Sequence, residues 1–150
     1  MAESLFDPAG LETMLTRLRS LRADSGRQWG QMSVAQMLSH CQRPLLVALG
    51  ELPLKRNLIG LLFGRIAKKQ LLSPKPWRTG MPTAPEFRVV DAREFEREKA
   101  ALSALVQRFG AAGPQGLSTS PHPFFGPLTS DEWQMLQWRH LDHHLRQFGA

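Results

Sequence analysis

Apolar residues recur every three to four positions in four separate stretches of the chain, the spacing of helices that bury one face. In the first, Leu11, Met14 or Leu15, Leu18 and Leu21 follow Asp7, Pro8 and Glu12. A side-chain cap, a proline at the first helical position and an acid in the first turn predict a helix over 8–22, stopped by Asp24-Ser25-Gly26. In the second, Ser33-Val34-Ala35-Gln36 reads as a capping box, and Val34, Met37, Leu38, Cys41, Leu45, Ala48 and Leu49 share one arc, predicting a helix over 33–49. Pro44 cannot donate to the carbonyl of His40, so a kink or loosened turn is expected there. In the third, Asp91 caps and Glu94 completes the pair, with Phe95, Leu102, Leu105 and Phe109 behind them. This predicts a helix over 92–110, ended by Gly110-Ala111-Ala112-Gly113-Pro114. The fourth opens on Thr129-Ser130-Asp131-Glu132 and carries Trp133, Leu136, Trp138, Leu141, Leu145 and Phe148, predicting a helix over 130–148.

The intervening segments follow different rules. Residues 54–72 hold Leu58, Ile59, Leu61, Leu62, Phe63 and Ile66 and end on Lys68 and Lys69, as a helix C-terminus favours. Gly60 and Gly64 weaken this stretch as a long rigid helix. It could lie on a membrane as a basic amphipathic helix; a short helix packed over a bundle is the preferred reading. Pro74, Pro76, Pro82 and Pro85 predict an extended, Pro-rich crossover over 74–88 rather than a helix, with Trp77 pinning it to the surface. Val89-Val90 is the only plausible strand fragment. With no internal repeat, residues 1–150 read as a single all-α domain: a four-helix bundle with a short extra helix and a long crossover.

Composition narrows the class. An apolar share of 42% in 150 residues builds one core unaided. No apolar run is long enough to span a bilayer, and the N-terminal residues lack a signal-peptide pattern, so a cytoplasmic protein is expected. The lone Cys41 lies in the apolar arc of the second helix, where an inert thiol is expected. The net charge of +6 is spread along the chain with no dense basic run, so solvated helix faces are expected and neither a nucleic-acid nor a membrane partner. The apolar 58–66 segment favours a homodimer over a monomer.

The chemistry sits in the histidines. His140 and His144 are one turn apart on the inward arc of the fourth helix, a spacing that lets two imidazoles meet one cation. His143 falls nearer the polar flank with Arg139 and Arg146 and is expected to be the more exposed. For this pair alone, a metal site and ordinary hydrogen bonding are equally good readings. His40 borders the apolar arc of the second helix, so three imidazoles converge if the second and fourth helices are neighbours. Three neutral nitrogen ligands with open positions describe a catalytic metal site rather than a closed structural one. His122 lies in the loop before the last helix, whose start is roughly 15 Å from His140 by the helical rise, and it is expected to pack its loop. Gln36 and Gln147 lie one turn from proposed ligands and either orient them or serve structure. No general base stands beside the three histidines; His143 or Glu132 would serve only if bent inward.

Met37-Leu38-Ser39-His40, with His140-x-x-x-His144-x-x-Gln147 at the other end, resembles the DinB-like (YfiT-like) superfamily, and His122-Pro123-Phe124-Phe125-Gly126-Pro127-Leu128-Thr129 resembles an uncharacterised branch of it. The resemblance covers nearly the whole chain. It implies a bundle with a long crossover and one divalent metal, zinc, nickel or iron, held by His40, His140 and His144. It further implies a metal-dependent, thiol-dependent transferase or a hydrolase acting on a small molecule, with a low-molecular-weight thiol as one candidate partner. The alternative is a non-catalytic ligand-binding or regulatory bundle with a structural or vestigial metal.

Overall fold

The computed structural model describes residues 3–150. Five α-helices run in the order α1 (Pro8–Ser20), α2 (Val34–Ala48), α3 (Leu58–Leu71), α4 (Phe95–Ala112) and α5 (Ser130–Gln147). Among the described residues there is no strand; the sole β feature is one isolated antiparallel pair, His122 with Gly126, and Val89-Val90 is plain extended chain. Helices α1, α2, α4 and α5 form the bundle, with α2 packed on α4 and α5, and α1 on the same two.

The caps explain where the helices begin. Asp7 accepts from the amides of Ala9 and Gly10 ahead of Pro8. Complete capping boxes form at Ser33/Gln36 and Thr129/Glu132, each satisfying two amides that have no partner within the helix. The third predicted start is a correction: Glu94, not Asp91, caps α4, accepting from the amides of Glu96 and Arg97. Gln36 donates to the carbonyl of Asp91, which holds the preceding segment extended, so the helix begins only at Phe95. Asp91 turns instead to Arg93. Helix α2 runs unbroken through Pro44, whose missing N–H leaves only the His40 carbonyl without its helical donor.

The core joins Leu5, Met14 and Leu18 to Met37, Leu38 and Leu45 of α2, Leu102, Val106 and Phe109 of α4, and Trp133, Leu141 and Leu145 of α5. Buried aliphatic side chains contribute about 1.5–3 kcal/mol each relative to exposure, so this cluster dominates stability. Cys41 is buried in it, beside Met37, and burial pushes its thiol well above the usual range, as expected of an inert thiol.

The crossover is irregular apart from a single 3-10 turn at Pro85–Phe87, where proline sits at the first position of the turn. Arg139 donates to the carbonyls of Ser73 and Lys75, tying the start of the crossover to α5. Helix α3 lies outside the bundle. It rests on the loop from Pro123 to Phe125 through Gly60 and Gly64, where a Cβ would collide with the loop backbone: at Gly60 it would lie 2.9 Å from the Pro123 carbonyl oxygen, and at Gly64 it would land on the Phe124 carbonyl. The two glycines that weaken α3 as an isolated helix are thus its contact face.

Candidate metal centre

Helix α2 brings His40 against the face of α5 that carries His140 and His144. The Nε2 of His40 lies 2.9 Å from Nε2 of His140 and 3.1 Å from Nε2 of His144. The three ligand atoms lie within 4.8 Å of one another, so the group could hold a metal ion. Metal–nitrogen bonds of about 2.0–2.1 Å set neighbouring nitrogens about 2.9–3.4 Å apart, and the observed spacings fall in that interval.

The outer ring nitrogens decide which atoms face inward. His40 Nδ1 is 2.8 Å from the carbonyl oxygen of Phe87 and must donate to it, because a carbonyl only accepts. His144 Nδ1 is 2.8 Å from Oε1 of Gln147, and that amide is oriented by its own Nε2–H, which donates to the carbonyl of Trp29. With the proton held at Nδ1 in both rings, both Nε2 atoms present bare lone pairs to the same point. Two lone pairs at 3.1 Å repel unless a cation stands against them. A proton is a poor candidate. Burial is the main influence on all three rings: it depresses His40, holds His140 well below the usual range with His144 adding to the effect, and pulls His144 down to about 3 with His40 adding to it. Neutral rings are what a metal ligand requires.

The donor set therefore fits a divalent metal, and two of the three rings have the outer hydrogen bonds that ligating histidines commonly make. His140 differs, since its Nδ1 is buried without a partner. One helical turn earlier, Gln137 is 1% exposed and neither its Oε1 nor its Nε2 has a partner. Buried amide groups left unpaired cost about 1–3 kcal/mol each, so an unfilled pair marks a place built for something polar.

The histidines and Gln137 open on a cavity of about 590 Å3. Phe87 and Trp77 come to its wall from the crossover, Phe124 and Phe125 from the 122–126 loop, and Ile59, Phe63 and Ala67 from α3. No carboxylate lines it among the described residues.

Several expectations change at this site. His143 is not exposed: it is 7% exposed and shares the cavity wall, because the rings of Trp29 and Trp77, with centroids 5.4 and 5.8 Å away, close over the polar flank of α5. Trp77 pins the crossover over the histidines rather than over bare surface, donating to the Leu71 carbonyl and lying tilted against His140 with ring centroids 6.1 Å apart. Gln147 orients His144 of the cluster, whereas Gln36 serves only its cap and the Asp91 carbonyl. Glu132 is occupied by the Thr129 amide and by Lys68, so it is no base for the site. His122 packs its loop as expected, accepting at Nδ1 from the amides of Phe124 and Phe125, and its ring also touches the cavity. Gln137 went unnoticed in the sequence, although its position three residues before His140 and seven before His144 places it on the same face.

No curated protein and no solved structure matches this chain. One family model does, over residues 3–150, and the chain accordingly belongs to the family described as protein of unknown function DUF1569.

Proposed function

We propose that His40, His140 and His144 bind one divalent metal and that the protein is an uncharacterised DinB-like metalloenzyme, a thiol-dependent transferase or a hydrolase acting on a small, largely apolar molecule. The observation that carries this reading is the pair of bare Nε2 lone pairs, held at one point by the Phe87 carbonyl and by Gln147. A metal bound there supplies Lewis acidity and lowers the pKa of a bound water or thiol.

The chain's own residues set the rest. Phe63, Phe87, Phe124 and Phe125 give the cavity apolar walls that hold a hydrocarbon or aromatic body and exclude water. Gln137 offers an amide NH2 as donor and a carbonyl oxygen as acceptor, enough to orient a carboxamide, a carboxyl group or a bound water beside the histidines. With no carboxylate in the wall, the groups that could accept a substrate proton are the neutral imidazoles of His122 and His143, which line the cavity outside the three-histidine cluster.

The test begins with metal content. Purified protein supplied with zinc, nickel or iron should hold one equivalent. His144→Ala should abolish stoichiometric binding, a loss of at least a hundredfold in affinity, while His143→Ala should keep it, because its ring nitrogens take no part in the cluster. Binding that survives His144→Ala unchanged, or no binding by the parent, rejects the site. Metal-loaded protein that binds apolar ligands without turning over a thiol and an electrophile would instead be the non-catalytic binding module.

A further inference from the structure

Helix α3 has two faces of unlike character. Gly60, Gly64, Ala67 and Leu71 form a stripe at helical spacing that faces the loop and the cavity. Away from the loop and the cavity the helix presents four large apolar side chains, Leu58, Leu61, Leu62 and Ile66, between 57% and 77% exposed, while Ile59 and Phe63, also largely exposed, border the cavity. The glycine contacts fix the roll of the helix, so this side cannot turn inward without a clash. An apolar patch of this density, rimmed by charge, marks an interaction surface.

The charge around it is one-sided. Along the whole chain the cations look scattered, but sorted by sign they are not. Residues 52–85 contain Lys55, Arg56, Arg65, Lys68, Lys69, Lys75 and Arg78 and no aspartate or glutamate. The remainder of the chain holds 12 cations against 13 acids, so the whole positive excess of this protein belongs to α3 and its flanks. A second copy docked across this face by a two-fold axis would set cationic rim against cationic rim. A nucleic acid would answer the charge but leave the leucines and Ile66 in water. A surface carrying negative headgroups over hydrocarbon satisfies both features.

We infer that α3 is an interfacial helix that docks the protein on an anionic lipid surface, with Leu58, Leu62 and Ile66 entering the acyl boundary and the exposed Arg65 and Lys69 meeting the headgroups, Lys68 being already engaged by Glu132. The helix has 14 residues, and among the described residues no helix is long and apolar enough to cross a membrane, so it lies in the surface plane. This inference stands apart from the metal centre and does not depend on it.

Sedimentation with vesicles tests it. Full-length protein should partition onto vesicles of phosphatidylcholine and phosphatidylserine mixed two to one, and at least tenfold less onto phosphatidylcholine alone or at high salt. Leu62→Asp should remove the binding by at least tenfold while leaving the circular dichroism and melting temperature unchanged, since Leu62 touches neither core nor cavity. Lys69→Ala should weaken it about fivefold. Absence of partition, or partition indifferent to both lipid charge and Leu62→Asp, overturns the inference. So does a stable dimer that Leu62→Asp dissociates without any vesicle binding, which assigns the face to a second copy. Duplex-DNA binding without vesicle binding would assign the cations to nucleic acid and overturn it equally.

Discussion

The α2–α5 contact and the α3 contact are two ways of placing a helix. At the first, His40 is tied to the Phe87 carbonyl and Gln147, which holds His144, is tied to the Trp29 carbonyl, each in a distant part of the chain, while Gln137 and His140 Nδ1 are left without partners. At the second, two glycines meet a loop backbone, and the polar ties are Lys68 to Glu132 and the Pro127 carbonyl, both near the surface. The first seam is over-determined and holds rings to a few tenths of an ångström, as a coordination site demands. The second is held by the fit of two glycines and by the ties of a single lysine, and its outer face still has apolar surface in water.

Substitutions at three positions probe that contrast, beginning where the expected effect is largest. Gln147→Leu removes the acceptor that holds the His144 proton at Nδ1, and should weaken metal binding by about ten- to a hundredfold, or about 1.4–2.8 kcal/mol, in calorimetric titration. Gln147→Glu should retain most of the affinity, since a carboxylate accepts the same proton. Equal affinity in all three proteins would mean that the ring is oriented by packing alone.

His122 sits where the two regions meet, and its response is to pH. Burial pulls its pKa down to about 3, whereas in the unfolded chain it is about 6.5. The unfolded state therefore binds the extra proton first as pH falls. The neutral ring's contribution is complete above about pH 6.5 and declines as pH drops towards 3. Between pH 6.5 and 5 metal-free protein should lose about 2 kcal/mol from this group. Chemical denaturation of His122→Asn, which keeps an acceptor for the Phe124 and Phe125 amides without titrating, should show a pH slope shallower by about one proton. An unchanged slope would mean that the ring is solvated.

Gly64→Val should have the smallest effect on global stability, about 1 kcal/mol or less, because α3 lifts off the loop before the bundle core is disturbed. The same change should speed tryptic cleavage between Arg56 and Lys69 severalfold. A loss near 3 kcal/mol with unchanged cleavage would show that α3 unfolds with the core as one unit.

The contrast also separates what could be read in the sequence from what could not. Ser33/Gln36 and Thr129/Glu132 are local signals, each satisfied within one turn, and the helices they open begin where expected. The convergence of His40, His140 and His144 was partly legible: periodicity turns His140 and His144 inward and sets His40 at the border of its arc, but that the two helices are neighbours is a property of the fold and not of either helix. His143 was misplaced because its cover comes from Trp29 and Trp77, side chains of loops, and a helical wheel has no knowledge of loops. The start of α4 was early for the same reason: the Asp91 carbonyl is held from α2, 55 residues away. The glycines of α3 read as weakness because their use lies in the neighbour they admit, which no propensity scale contains.

One further consequence follows from the separation of 100 residues between His40 and His140. Synthesis proceeds at about 5–20 residues per second, so roughly 5–20 seconds pass between the appearance of the two rings. During that interval α2 can fold against neither of its α5 partners, and the nascent chain offers a metal one imidazole rather than three. If the cluster binds a metal as proposed, its three ligands exist together only in the finished bundle, so loading follows translation.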